Sequence, residues 1–333
     1  MDIAKQAIAV TIIGAGKFGS TLAEIISRNG TPTTLVTRSS SRLSKLEERL
    51  SNRPKNLQLG ALDNVTLGSH VFLALASTDC PDIIEILQQR QDSDKPRTYI
   101  SLSKGLTDSN GATPLEILVQ KFGPDSCAVV SGPSLANEMI HHRTRLVAAA
   151  ENLKVSKTVT NILRSDSISC GSSIDPHGVE FAAIAKNIAT LAFHACNKAT
   201  GSLNTAGSYA SSIYYEMFKY AKMFNIHTQS FMDVAGIGDL LTTSHAPGSR
   251  NKRAGELLGD EKDLSVAEIE TTIKQTIESL HSIPLLQQRI SSNHEKITTP
   301  AIELLNKRVT QEIPYEEWLK AVSIFDYTKI MDN

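Results

Sequence analysis

Along the first half of the chain, short apolar runs alternate with stretches of helical character. The runs Ile8–Ile13, Thr33–Thr37, Val71–Ala76, Thr98–Leu102, Ala128–Ser131, Leu146–Ala150 and Ile168–Gly171 read as strands. Val71-Phe72-Leu73-Ala74-Leu75-Ala76 is apolar at every position, which suits a strand covered by helices on both faces. Between the runs, Ser41–Leu50 and Asp82–Gln89 carry helical spacing. Strand and helix in alternation predict an α/β domain built on a doubly wound, mainly parallel sheet.

The texture changes at Asp175-Pro176-His177-Gly178. From Val179 onward helix follows helix, and no convincing strand is found. Val179–Thr200 and Asn204–Phe224 are long, rich in alanine and apolar almost all round, so both are expected to be buried. Phe231–Thr243, Arg250–Leu258, Ser265–Ser279, Ile283–Ser292 and Thr299–Arg308 complete the expected helices. An α/β domain over residues 1–176 is therefore expected, followed by an all-α domain over 177–333.

Composition narrows the function classes. The 333 residues suffice for two domains of ordinary size. Basic residues number 34 and acidic residues 35, so no field of one sign draws the protein to nucleic acid or to an anionic membrane surface. Any anion recognised here must be gripped locally. No run approaches the ~18 apolar residues of a membrane-spanning helix, so a membrane-embedded protein is not expected. Lys5 ahead of the apolar run Ala7 to Ile13 imitates a secretion signal. The run passes straight into Gly14-Ala15-Gly16 without a cleavage region, which fits a core strand instead. Cys80, Cys127, Cys170 and Cys196 lie far apart with no metal-like spacing, so they read as buried reduced thiols of a cytoplasmic protein with no metal site.

Candidate chemistry starts with Gly14-Ala15-Gly16-Lys17-Phe18-Gly19, a G-x-G-x-x-G pattern between a predicted strand and a predicted helix. In that context it is the phosphate-binding turn of a Rossmann-type domain. Gly14 permits the tight turn, Gly16 lets a pyrophosphate approach the backbone, and Gly19 brings helix and strand close. Arg38 stands at the end of the second strand, where an NAD-specific site carries Asp or Glu. It can meet an adenine ring or a 2′-phosphate, or be a solvated arginine.

Four further segments set polar residues in apolar or glycine-rich surroundings. They are Ser103-Lys104-Gly105; Ser131-Gly132-Pro133-Ser134-Leu135-Ala136-Asn137-Glu138; Gly178-Val179-Glu180 leading to Lys186-Asn187; and Gly236-Ile237-Gly238-Asp239-Leu240 followed by Ser249-Arg250-Asn251. Lys186 on an apolar helix is either functional or snorkels to water. Ser249 is a good N-cap, and an arginine at a helix start makes a ready anion site.

Taken together and in this order, the segments resemble the bacterial-type NAD(P)-dependent glycerol-3-phosphate dehydrogenase family. The resemblance runs over most of the chain, and S-G-P-S, K-N and G-D-L…S-R-N are its specific parts. It implies an oxidoreductase that interconverts dihydroxyacetone phosphate and sn-glycerol 3-phosphate with NAD(P)H, supplying glycerol 3-phosphate for phospholipid synthesis, and a homodimer. It also implies residue roles. Gly14, Gly16, Lys17, Phe18, Gly19, Arg38, Lys104, Ala136, Arg250 and Glu278 would bind the cofactor. Lys104, Gly132, Ser134, Lys186, Asp239, Ser249, Arg250 and Asn251 would bind the substrate. Lys186, as general acid, together with Lys104 and Asp239 would carry catalysis. Burial and Lys104 should lower the Lys186 pKa, while Asp239 opposes that.

The chain also departs from the family pattern. Alanines at 182 and 183 replace glycines, Ser212 replaces an arginine and Ser279 a glycine. The proline after Leu75-Ala76-Ser77 is missing, and Ser39–Gly68 is short, with no His…Leu-Pro stretch. Two rival readings stay open: another Rossmann-plus-helical dehydrogenase, of the ketopantoate reductase or 3-hydroxyacid type, and a dinucleotide-binding relative without catalysis.

Overall fold

The computed structural model describes residues 8–90, 96–108, 110–223, 226–292 and 298–328. Lys5, Ala7 and Phe224, on which parts of the sequence reading fall, lie outside the described residues. The chain forms two compact units, one of residues 1–75, 79–103 and 114–176, the other of 76–78, 104–113 and 177–333.

The first unit contains, in chain order, β1 (Val10–Ile13), α1 (Lys17–Arg28), β2 (Thr33–Thr37), α2 (Leu43–Arg49), β3 (Leu57–Ala61), β4 (His70–Leu73) and α3 (Cys80–Gln89). It continues with β5 (Thr98–Ser101), α4 (Pro114–Phe122), β6 (Cys127–Ser131), α5 (Ala136–Met139), β7 (Thr144–Ala149), α6 (Leu153–Leu163) and β8 (Ile168–Ser173). The strands lie in the order β3-β2-β1-β4-β5-β6-β7-β8, and every pairing is parallel except β6 with β7. Strand order reverses between β1 and β4. With right-handed crossovers the connections then wind onto opposite faces, the doubly wound arrangement, and its switch point lies at the ends of β1 and β4. β1 and β4 are buried at all four positions, as strands sandwiched between helices must be.

All seven expected strands match in place to within three residues at either end, Thr33–Thr37 exactly. Val71–Ala76 is cut back to Leu73 because the backbone beyond it turns beside Gly14. β3 is an addition to the expected set. It is an edge strand with Gln58 exposed and Gly60 inside it, so it lacks the apolar run that marks the others.

The second unit is helical, with α7 (Pro176–Thr200, from His177 on), α8 (Leu203–Met223), α9 (Asp239–His245), α10 (Arg250–Leu258), α11 (Val266–Ile273), α12 (Glu278–Ser291), α13 (Pro300–Val309) and α14 (Tyr315–Ser323). No strand occurs in it among the described residues. Along α7, every residue from Gly178 to Ala192 is buried. α8 corrects the expectation of burial all round: Tyr209, Ile213, Met217 and Tyr220 are inside, while Leu203, Tyr215 and Met223 face out.

Two expected helices are also corrected. Phe231–Thr243 is a 3₁₀ turn (Gln229–Met232), a π-helical turn (Val234–Gly238) and then α9. A Cβ on Gly236 would lie 2.1 Å from the Phe231 carbonyl oxygen, so the wide turn depends on glycine. Ser265–Ser279 splits into α11, opened by a capping box of Ser265 and Glu268 and ended by Lys274 at φ 61°, and the first turn of α12. No helix among the described residues is long and apolar enough to cross a membrane. All four cysteines are buried and free.

Candidate functional site

The first unit carries the glycine turn at the switch point. Gly14 has φ +116°, and a Cβ there would lie 2.2 Å from the Ala74 carbonyl oxygen. A Cβ on Gly19, in the first turn of α1, would lie 2.0 Å from the Gly14 carbonyl oxygen. Both glycines are therefore obligatory for closing the turn against β4 and α1. Gly16 differs: it caps α1, is exposed, and has no atom within 4 Å of where a Cβ would sit. The open side of the turn thus lies at the free amides that start α1, the geometry a pyrophosphate needs. Lys17 is exposed and Phe18 half-buried on the same turn. These residues fit a dinucleotide.

At the end of β2, Arg38 is exposed and paired with Asp82 at 3.0 Å and Asp79 at 3.5 Å. A phosphate meeting Arg38 must compete with two carboxylates. A second guanidinium reaches the turn itself. Arg49, at the end of α2, donates through Nη2 to the Ala15 carbonyl at 2.6 Å and to Ser20 Oγ at 2.8 Å. Nothing in the sequence marks Arg49, because an arginine on a short helix belongs to no motif. Gly132 follows β6 with φ +129° and is backed by the Arg145 carbonyl, so the loop to α5 turns sharply there. Ser134 is half-buried in that loop, and Ala136 opens α5.

The second unit gathers the charged residues. Asp239, the first residue of α9, is delivered by the π-helical turn and is almost fully buried. Its Oδ2 is 2.6 Å from Lys104 Nζ and 3.0 Å from Lys186 Nζ. Lys186 projects from the buried length of α7 and donates to Thr243 Oγ1 at 2.7 Å, and Thr243 donates to Asp239 Oδ1 at 3.3 Å. Snorkelling to water is excluded, since the Lys186 side chain is 4% exposed.

Two ammonium groups on one carboxylate set the protonation states. Burial lowers the Lys186 pKa to about 8; Asp239 resists this and Lys104 assists it. Burial wins. Burial also works against the Asp239 carboxylate, but the two lysines together hold its pKa below the ordinary value.

A hydrogen-bonded chain extends from this cluster. The Lys104 N–H donates to Glu278 Oε2 at 2.8 Å, and its carbonyl accepts from Asn187 Nδ2 at 3.0 Å. Asn187 Oδ1 accepts from Asn251 Nδ2 at 2.7 Å, and Asn251 Oδ1 accepts from Ser279 Oγ at 2.8 Å. Burial raises the pKa of Glu278, while Arg250 and the Lys104 amide pull it down. Ser249 caps α10, as expected, by accepting from the Lys252 amide at 3.2 Å. Arg250 is exposed at the start of that helix, with Nη1 3.4 Å from the Thr276 carbonyl oxygen.

The structure therefore brings together Lys104, Lys186, Asp239, Asn251 and Glu278, with Ser249 and Arg250 on the helix that carries Asn251. The sequence reading names Asn187 beside Lys186 and Thr243 as the end of an expected helix, and assigns neither a role. Their signal was their spacing, four residues after Asp239 and one after Lys186.

Two models describing the N-terminal and C-terminal parts of NAD-dependent glycerol-3-phosphate dehydrogenase match residues 9–156 and 175–320. The glycerol-3-phosphate dehydrogenase [NAD(P)+] of Synechococcus elongatus is 26% identical, over 92% of this chain and 94% of its own. That of Teredinibacter turnerae is 28% identical, over 85% and 86%. Among solved structures, glycerol-3-phosphate dehydrogenase of Coxiella burnetii shares the fold, with a TM-score of 0.83 at 21% identity, covering 95% of this chain and 99% of that one. With both parts matched in order, this chain belongs to the NAD-dependent glycerol-3-phosphate dehydrogenase family.

Proposed function

We propose that the protein interconverts dihydroxyacetone phosphate and sn-glycerol 3-phosphate using NADH or NADPH. The observation that carries this reading is the buried Lys104–Asp239–Lys186 cluster, in which one carboxylate holds two ammonium groups within 3.0 Å. Residues 1–176 hold the dinucleotide on the glycine turn, with Lys17, Phe18, Arg38 and Ala136 as further contacts. Residues 177–333 hold the substrate and the catalytic groups. Lys104 is grouped by its contacts with the second unit, although it lies within the first span.

When bound, the nicotinamide supplies or takes up the hydride. The protein's own part is to orient the substrate and move one proton. Lys186 Nζ gives that proton to the oxygen of the reacting carbonyl. A pKa of about 8 leaves it protonated at neutral pH yet able to release the proton, which suits a general acid. Asp239 Oδ2 and Thr243 Oγ1 each accept a hydrogen bond from the ammonium, so the direction of its third hydrogen is set. Lys104 adds positive charge where the oxygen becomes negative.

Arg250, Asn251 and the Ser249-capped start of α10 bind the phosphate, where an arginine fork and free amides meet an anion. Binding energy from this non-reacting group positions the carbonyl. Gly132 and Ser134 line the loop toward the substrate, and Glu278 meets the cofactor. The buried reduced thiols agree with work in the cytoplasm.

The test is oxidation of NADH and of NADPH, each with dihydroxyacetone phosphate and with ketopantoate. Turnover of the phosphorylated substrate is expected. Turnover of ketopantoate alone would move the protein to the other dehydrogenase class, and dinucleotide binding with no turnover would make it a non-catalytic binder.

A further inference from the structure

We infer that Ser279 is a positioning residue that holds the Asn251 amide in place, with Nδ2 presented to the substrate phosphate. This rests on the reading of Asn251 as a phosphate contact given above. The reasoning starts from the polarity of the hydrogen-bonded chain. A backbone carbonyl can only accept, so the Lys104 oxygen requires the amide nitrogen of Asn187 to face it. Asn187 must then turn Oδ1 toward Asn251, and Asn251 must answer with Nδ2. That leaves Asn251 Oδ1 on its other side, where it needs a donor. Ser279, 1% exposed at the second position of α12, provides the hydroxyl at 2.8 Å.

The consequence for binding follows from the hydrogens that remain. Asn251 Nδ2 has two hydrogens, one spent on Asn187, and the other has no acceptor among the described residues. Its oxygen is occupied by Ser279. In this orientation the half-buried side chain offers an anion a donor. With the amide turned over, the oxygen would meet the phosphate, and two acceptors would face each other. The Lys104 carbonyl, through Asn187, selects the first state, and Ser279, whose hydroxyl can donate or accept, holds the amide there by satisfying the Oδ1 left on that side. The family's glycine at this position has no hydroxyl, so here the protein performs the task with its own side chain.

The experiment uses the full chain with Ser279→Ala and Ser279→Gly, and two independent readouts. Calorimetric binding of inorganic phosphate reports on the site whether or not turnover occurs. Steady-state kinetics with dihydroxyacetone phosphate give KM and kcat separately, and wild-type turnover tests the underlying reading by itself. Ser279→Ala should weaken phosphate binding and raise KM by about 3- to 10-fold, the range of one neutral hydrogen bond, with kcat within about 2-fold. Ser279→Gly should recover most of the loss, because it leaves room for a water that can donate in place of the hydroxyl. Unchanged phosphate affinity and KM in Ser279→Ala would overturn the proposal. Equal impairment of both variants would also overturn it, since a packing role and not a donated hydrogen bond would then explain Ser279.

Discussion

Lys186 is the residue at which burial, charge and chemistry meet. Its side chain is 4% exposed and has a carboxylate at 3.0 Å, yet burial still brings its pKa to about 8. In the direction of carbonyl reduction it must carry a proton, so kcat/KM should fall as pH rises through about 8. In the oxidation direction it must accept one, and the rate should rise toward the same pH. Profiles of both directions check this, and identical profiles would remove Lys186 from proton transfer. Lys186→Ala should lower kcat by ~10²- to 10⁴-fold with dinucleotide affinity kept, measured by fluorescence titration. At the dinucleotide end, Arg38→Ala should raise KM for NADPH and leave that for NADH unchanged; parallel increases would place the guanidinium on the adenine and not on a 2′-phosphate, and no change in either would show that it serves only Asp79 and Asp82. The sequence made Lys186 and Asp239 conspicuous because charge on an apolar helix or beside glycines is costly. It could not rank burial against Asp239, since that balance depends on distances that only the folded chain fixes. Arg49 left no trace, because its contact with Ala15 spans 34 positions.

Among the elements, α13 has an unusual start. Thr299, its N-cap, makes no side-chain cap, and the free amides of Ala301 and Ile302 are met by the two carboxylate oxygens of Glu216 on α8, each at 2.9 Å. Burial raises the Glu216 pKa from 4.5 to about 7, against the pull of those amides. The folded chain therefore keeps its proton over a range in which the unfolded chain has lost it, and stability falls as pH rises from 4.5 toward 7. The contribution lost across that window is about 3 kcal/mol, at ~1.4 kcal/mol per pH unit. Thermal melts from about pH 5 to about pH 8 should show a steeper decline for wild type than for Glu216→Gln. Parallel curves would show that the carboxylate is ionised throughout and that the α13 amides hold it so. Alanine, serine and tyrosine serve inner and outer faces alike, so the spacing of Leu203–Met223 did not reveal that one side is wet. β3 escaped notice for a related reason, since an edge strand needs only part of its residues to be apolar.

For the whole molecule, the near-equality of 34 basic and 35 acidic residues matters more than any one of them. With no overall field to concentrate an anionic substrate, discrimination for a phosphate must come from groups that touch it. Arg250 is the principal candidate, exposed at the start of α10 with Ser249 as its cap. Arg250→Ala should therefore lower kcat/KM for dihydroxyacetone phosphate by about 10²-fold or more, the loss of a charged bidentate contact. The same substitution should barely change the slow reaction of dihydroxyacetone, which has no phosphate to lose. A charge-matched control separates local contact from net charge. Lys157→Ala removes one exposed positive charge from α6 and should leave both substrates unaffected. Steady-state kinetics of both variants on both substrates, repeated at low and high salt, decide the matter. If Lys157→Ala weakened the phosphorylated substrate as Arg250→Ala does, and salt erased both effects, long-range charge would be at work after all. If Arg250→Ala harmed both substrates equally, the arginine would belong to the architecture or to the cofactor, and phosphate recognition would have to lie with Asn251 and the free amides of α10.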